Sequence, residues 1–220
     1  MNLKTALDNF RAEFLEKFPA EKAAIMQQAT DALAEKFPTR QPIQAGDQAP
    51  DFTLTNAVGE TVRLGDRLSQ GAVILTFYRG GWCPYCNLEL RAYQQVLPKI
   101  RELGASLIAI SPQTPDASLT TVEKNNLEFD VLSDVGSQVA QAYGIAFELP
   151  DDLRQLYTEL GHSLPENNGT EDWQLPVPAT FVIVPDGQVV LAHVDVDYRQ
   201  RLEPADAIAA LLQMSQKVVV

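Results

Sequence analysis

Thiols and imidazoles are scarce in this chain: only Cys83, Cys86, His162 and His193 could supply soft or borderline metal ligands. Two cysteines three positions apart cannot staple a fold of 220 residues, and 45% apolar content is enough to build a core without cross-links. A closed zinc site needs four such ligands together, and the histidines lie far along the chain from the cysteines and from each other. No metal and no other cofactor is expected. Long apolar runs are also missing. The longest, around residues 72–78 and 181–185, are strand-sized, well short of the ~20 residues of a membrane-spanning helix, so no membrane partner is expected. Positive charge is thin, with 17 Lys and Arg against 29 Asp and Glu for a net charge of −12. The basic residues are scattered, which excludes the phosphate neutralisation on which nucleic-acid binding depends. There is no charged-then-apolar leader after Met1, no internal repeat and no low-complexity tract. A cytoplasmic location is the expectation, and in a reducing compartment a close cysteine pair is redox or metal chemistry before it is a staple.

What the chain does have is the stretch from Leu75 to Leu90, which holds both cysteines. A β-branched apolar run before it reads as a strand, Gly80-Gly81 breaks that strand, and helix formers follow Cys83. The pair therefore sits where a strand hands over to a helix. Unpaired amide groups and the positive end of the helix dipole favour a thiolate there and can pull a cysteine pKa below its free value of ~8.5. Besides a metal site, the pair could be an inert structural one, but flanking glycines and Pro84 are loop residues. Redox chemistry is the remaining reading, and the strand-helix-strand context it requires is present.

Around this junction the chain reads in order. Apolar positions at Leu3, Leu7, Phe10 and Phe14, then at Ile25, Ala29 and Leu33, have the spacing of two amphipathic helices broken at Pro19. Their expected role is packing against the main domain or against a second copy in a homodimer. Residues 38–50 look like a linker, which gives a division into an N-terminal helical extension over 1–40 and a main domain over 41–220. Residues 51–54 and 61–64 flank a turn and predict a hairpin. The spacing next predicts a strand at 72–78, a helix after Cys86 kinked at Pro98, a strand at 107–110, a helix at 116–126, a strand at 129–132 and a helix ending at Gly144. This alternation predicts an α/β domain with parallel crossovers and helices on both faces of a sheet. The rhythm fails over about 147–177, which reads as an insertion, helical to Leu164 and loop-like after it, that covers the site mouth or makes a subunit contact. A hairpin around Pro185-Asp186-Gly187 follows, then a last helix opening at Pro204 with Leu211 and Leu212 on its buried side.

The residues of the junction carry a resemblance. Trp82-Cys83-Pro84-Tyr85-Cys86 resembles the active-site motif of the thioredoxin and glutaredoxin group, and Pro178-Ala179-Thr180-Phe181 is similar to the cis-proline stretch that faces that motif. The longer string Phe77 to Leu90 resembles the peroxiredoxin-like branch of the alkyl hydroperoxide reductase/thiol-specific antioxidant superfamily. Ala49 to Leu54, Ala109 to Pro112 and Val131 to Asp134 match further landmarks of that superfamily, and so, without a chemical reason in the sequence, do Asp197-Tyr198, Arg201 and Glu203-Pro204. The resemblance, which covers roughly Gly46 to Leu212, implies a thioredoxin-like fold, a central mixed sheet with helices on both faces, to which the residues themselves add an N-terminal helical extension and an insertion before the last hairpin.

It also implies roles. Aligning the peroxidatic cysteine of peroxiredoxins on Cys86 places Glu89 on their glutamate, but Arg79 stands where they have proline and Cys83 where they have threonine. Their peroxide-polarising arginine falls near Pro178. The leading expectation is a thiol peroxidase acting on hydrogen peroxide or organic hydroperoxides, in which Cys86 becomes a sulfenic acid, Cys83 resolves it as a disulfide and a thioredoxin- or glutaredoxin-type reductant restores the dithiol. Arg79 or Arg91 would supply the missing cation. Glu89 would orient Arg79 or Asn87, Trp82 would form an apolar wall, and Pro178 would face the motif. The alternative is a disulfide oxidoreductase in which Cys83 attacks and Cys86 resolves, and a third class is an oxidant sensor without turnover. Without a partner nearby, Arg79 would be a solvated loop charge and Glu89 a first-turn carboxylate. The two histidines have no motif around them and no expected role.

Overall fold

The computed structural model describes residues 2–217. Two helices come first, α1 (Leu3–Lys17) and α2 (Ala20–Lys36), separated at Pro19 as their apolar spacing predicts. The hairpin is β1 (Thr53–Asn56) and β2 (Thr61–Arg63), followed by a short helix α3 (Leu64–Leu68) that the periodicity does not announce. The alternating part is β3 (Val73–Phe77), α4 (Pro84–Glu102), β4 (Ser106–Ser111), α5 (Pro115–Asn125), β5 (Asp130–Ser133) and α6 (Gln138–Ala142). Helix α4 runs unbroken through Pro98. The chain then forms β6 (Ala146–Glu148), α7 (Asp151–Glu159), α8 (Leu164–Asn168) and β7 (Gln174–Pro176), and closes with β8 (Ala179–Ile183), β9 (Val189–Val194) and α9 (Pro204–Lys217). No described helix is long and apolar enough to cross a membrane.

The seven-stranded sheet has the order β2-β1-β5-β4-β3-β8-β9. Only β3, β4 and β5 run parallel, and both flanks are antiparallel hairpins, so the sheet is mixed rather than built from crossovers throughout. Strand β3 lies inside the sheet between β4 and β8 with every residue buried, which is why its sequence is a nearly continuous apolar run and not an alternation. Successive side chains still go to opposite faces. Val73, Leu75 and Phe77 join Leu64, Leu68, Val139 and Tyr143 on one side, whereas Ile74 joins Tyr93, Leu97 and Ile100 of α4 and Ala207 and Leu211 of α9 on the other. Leu212 differs from its expected place, being 42% exposed where Leu211 is 3% exposed. Ala207 and Leu211 are four apart and share the face turned to the sheet, and one residue further is about 100° around the helix.

Both N-terminal helices pack on the chain's own later elements. Leu3 and Leu7 are buried with Tyr85 and Leu90, and Ile25, Met26 and Ala29 of α2 pack on Leu149, Leu153 and Leu156. The insertion is more regular than its Asn-, Gly- and Pro-rich second half suggests: β6 and β7 pair antiparallel, Ala146 with Pro176 through Glu148 with Gln174, and so close it off as a two-stranded stem beneath α7 and α8. Backbone amides of Leu3 and Lys4, unpaired in their own helix, donate to the Glu203 carboxylate at 3.2 and 2.6 Å, while Asn2 accepts from the amide of Thr5 at 3.0 Å.

Glu203 thus clamps the start of α1 from 200 residues away. Glu203→Ala is expected to loosen α1 by about 1 kcal/mol, the worth of a helix cap, seen as faster amide exchange at residues 3–6 with protection in β3 and β4 unchanged.

Candidate active site

Strand β3 gives way to a loop of fixed shape. Gly80 has φ +148°, and a side chain there would meet the Trp82 ring at 2.4 Å; one on Gly81 would meet the Thr121 hydroxyl at 2.2 Å. The two glycines therefore let the loop lie flat on its neighbours. The Gly81 amide donates to the Gln113 side-chain oxygen at 2.7 Å. Cys83 then takes the N-cap position of α4, Pro84 the first helical turn and Cys86 the same turn, so both sulfurs stand at the helix start. Asn87 ties the turn together by donating to the carbonyls of Gly81 at 2.8 Å and Cys83 at 3.0 Å. Asn87 in turn accepts from Asn125 at 2.7 Å, and Asn125 accepts from Arg91 at 2.8 Å.

The electrostatics of the pair are unequal. Both cysteines are free and buried. Burial by itself would push the Cys83 thiol up, but a hydrogen bond from Cys86 and the charges of Arg79 and Arg201 overcome it and bring Cys83 down to about 6. Cys86 moves well above the ordinary thiol value, first because of burial and then because it serves as the donor to Cys83 and faces its negative charge. At neutral pH the charge sits on Cys83. Arg201 reaches the second sulfur, its guanidinium 3.4 Å from Cys86 Sγ and 2.7 Å from the Glu89 carboxylate, with both side chains 1% exposed. Burial pushes the Glu89 carboxyl up to about 7 while Arg201 pulls it the other way.

Arg79 is no solvated loop charge, since it is 3% exposed. Its guanidinium lies 4.3 Å from the Tyr198 ring, 5.1 Å from Trp82 and 5.5 Å from Tyr157, and it donates to the Tyr157 hydroxyl. Of the residues singled out in the sequence, the fold brings Cys83, Cys86, Arg79, Trp82 and Glu89 together. Glu89 pairs with Arg201 and with neither Arg79 nor Asn87, because the loop after β9 returns Arg201 to the first turns of α4. Arg91 goes to Asn125 and not to the thiols. Pro178 lies in the wall of a cavity on the Arg79 side, and its preceding peptide bond is trans, unlike that of the motif it resembles.

Other participants had little or no local signal. Tyr157 comes from the insertion, which does cover the site. His162 packs against Trp82 with ring centroids 5.2 Å apart and the planes tilted by 31°, although sequence separation places it far from the cysteines. His193 sits across from Thr180 in the β8–β9 ladder. Arg201 and Tyr198 carry the resemblance without explaining it; the ion pair to Glu89 and the ring face on Arg79 supply the reason. A small cavity of 180 Å³ opens on Cys83, walled by Phe10, Phe14 and Phe18 at the end of α1 and by Trp82, Tyr85 and His162. The N-terminal helices thus form part of the site wall.

Residues 45–192 match the model of the AhpC/TSA family. Among curated proteins, thiol-disulfide oxidoreductase ResA of Bacillus anthracis is 26% identical over 168 residues, covering 76% of this chain and 79% of its own. A putative peroxiredoxin of Mycobacterium tuberculosis is 29% identical over 151 residues, covering 69% of this chain and 85% of its own. Among solved structures, peroxidoxin BcpB of Mycobacterium tuberculosis superposes with a TM-score of 0.62 at 24% identity, over 78% of this chain and 98% of the other. A putative thiol:disulfide interchange protein DsbE of Chlorobium tepidum gives a TM-score of 0.53 at 25% identity, over 79% and 97%. These likenesses agree with the mixed sheet and place the chain among thiol oxidoreductases.

Two outcomes follow from the charges. Thiolate absorbance of the reduced protein is expected to titrate with a midpoint near pH 6, and Arg79→Gln to move it toward the free-thiol value of ~8.5. The sign for stability is that of a depressed acid: the contribution of Cys83 to folding is complete above the free-thiol value and is lost as pH falls through about 6. Separately, Glu89→Gln leaves the Arg201 cation buried without its partner and is expected to destabilise the protein by about 3 kcal/mol in urea titrations at pH 8, where the carboxylate is charged.

Proposed function

Since the chain belongs to the AhpC/TSA family, whose chemistry runs through cysteine thiols, we propose that it is a thiol–disulfide oxidoreductase in which Cys83 attacks and Cys86 resolves. The observation that carries this reading is the position of the charge: Cys83 is brought down to about 6 and, though only 2% exposed, lines the small cavity, whereas Cys86 is raised, 0% exposed and lines neither cavity. An attacking sulfur must be ionised and reachable, and a resolving sulfur must wait. The thiol-disulfide oxidoreductase among the relatives supports disulfide exchange as the reaction.

The steps balance without a cofactor. The Cys83 thiolate attacks one sulfur of a partner disulfide, a mixed disulfide forms and the first partner thiolate leaves. Cys83 then no longer carries charge, so the influence of its negative charge on Cys86 disappears, while Arg201 at 3.4 Å still favours the Cys86 thiolate. Cys86 gives its proton to the departing partner thiolate and attacks Cys83, the second partner thiolate leaves, and the Cys83–Cys86 disulfide remains. Two electrons have passed to the partner. A thioredoxin- or glutaredoxin-type dithiol would restore the pair by the reverse exchange.

A second reading keeps the peroxidase in which Cys86 forms the sulfenic acid and Cys83 resolves it. Arg201 favours it, since its guanidinium stands beside Cys86 Sγ and could polarise a peroxide oxygen in place of the peroxiredoxin arginine, whose position falls near Pro178 and is not filled by arginine here. Against it, Arg201 is already bonded to Glu89 and to the carbonyls of Tyr198 and Gln200, and a missing donor at the reacting oxygens raises the barrier by about 3 kcal/mol.

Steady-state reduction of insulin disulfides and of hydrogen peroxide by the same preparation separates the two. Under the proposal Cys83→Ser abolishes disulfide reduction, Cys86→Ser accumulates a mixed disulfide, and peroxide turnover is at least about 100-fold slower than disulfide turnover, as expected for the loss of one directed donor. Efficient peroxide turnover with sulfenic acid trapped on Cys86 and no disulfide reduction would reverse the assignment.

A further inference from the structure

Two arginines are buried at this site, and only one has a carboxylate. Arg201 is matched by Glu89 at 2.7 Å. Arg79, also buried, has three aromatic faces and the Tyr157 hydroxyl, but its Nε is without a hydrogen-bond partner, and among the described residues no carboxylate lies within ion-pair distance of it. The Cys83 charge and the aromatic faces compensate part of its desolvation, but the buried Nε–H donor stays unused.

The same Arg79 forms part of the wall of a second cavity, 480 Å³ in volume, between α2 and the insertion. That volume is within the ~300–1,000 Å³ of small-molecule sites. Met26, Ala29 and Leu33 of α2 line one side, and Phe147, Leu149 and Leu153 of the insertion line another. Glu148 and Asp151 are at its exposed rim, where Arg154 answers them at 2.6 and 3.7 Å and Lys36 supplies a second cation, so two carboxylates face two cations and the rim carries no net repulsion for an anion. Arg79 is the one buried charge among the described residues of the wall. An apolar chamber with a single buried cation fits a molecule of the opposite pattern. A planar guanidinium pairs with the two oxygens of a carboxylate better than with a point anion.

We infer that this cavity binds an amphipathic carboxylate, its headgroup on Arg79 and its hydrocarbon part between α2 and the insertion. Ligand and thiols would then share one arginine while occupying different cavities. This site does not depend on whether the thiols act on disulfides or on peroxides, and its test does not involve turnover.

Octanoate and 1-octanol, titrated calorimetrically into the reduced wild-type protein, compare the same chain with and without the carboxylate. Octanoate is expected to bind at least about tenfold more tightly than the alcohol, the discrimination a charge-assisted hydrogen bond supplies. Arg79→Gln is expected to weaken octanoate at least about tenfold while leaving the alcohol unchanged. Ala29→Phe, which fills the chamber from α2 and leaves Arg79 in place, is expected to abolish binding of both. Absence of octanoate binding at millimolar concentration, equal affinity for the two ligands, or undiminished binding in folded Arg79→Gln or Ala29→Phe protein would each overturn the inference.

Discussion

Two guanidinium groups held out of water beside two sulfurs are the constraint from which the rest of the site follows. A buried cation is tolerated only with compensating charge and hydrogen bonds, and each arginine meets that demand differently. Arg201 uses a carboxylate, Glu89, with the carbonyls of Tyr198 and Gln200. Arg79 uses aromatic faces, the Tyr157 hydroxyl and the negative charge of Cys83. Because neither can move to water, their fields act on the thiols at low dielectric, where a few ångströms decide which sulfur is ionised.

The inequality of the two cysteines is therefore a property of their surroundings, not of their order in the motif. Both sit at the N-terminus of α4, Cys83 as its N-cap and Cys86 in its first turn, and face the same end of the helix dipole. What separates them is that Cys86 donates to Cys83 and is more deeply enclosed. The arrangement is also reversible in a useful way: when Cys83 becomes bonded to a partner sulfur, Arg201 beside Cys86 is left as a nearby influence that favours the second thiolate. The N-terminal helices and the insertion contribute by excluding water, through Phe10, Phe14 and Tyr157 beside Trp82, which keeps these electrostatic effects strong. Their apolar faces would otherwise need a partner elsewhere; here they find it on the same chain.

Much of the fold was legible in local patterns, because periodicity reports burial directly. The continuous apolar run of β3, the break at Pro19, the hairpins and the face formed by Leu90, Tyr93, Leu97 and Ile100 all have one physical reading, and the elements occur there. The β6–β7 stem was not legible, since its three-residue strands leave too short a pattern to distinguish from loop. Leu212 was misplaced because two adjacent leucines in a helix cannot both face the sheet.

The site divides in the same way. The sequence by itself determined that two thiols stand at a strand-to-helix junction, that the glycines before them admit a tight loop and that redox chemistry is the use such a pair has, because those are consequences of neighbours within a few residues. Tertiary structure decided which charges reach the sulfurs. Arg201 is 115 residues from Cys86 and Tyr157 is 78 from Arg79, and no spacing along the chain encodes such contacts; they arise when β9 and its following loop return to α4 and when the insertion folds over the loop. Coulombic fields depend on distance in space and on exclusion of water, and both are set only once the core has closed.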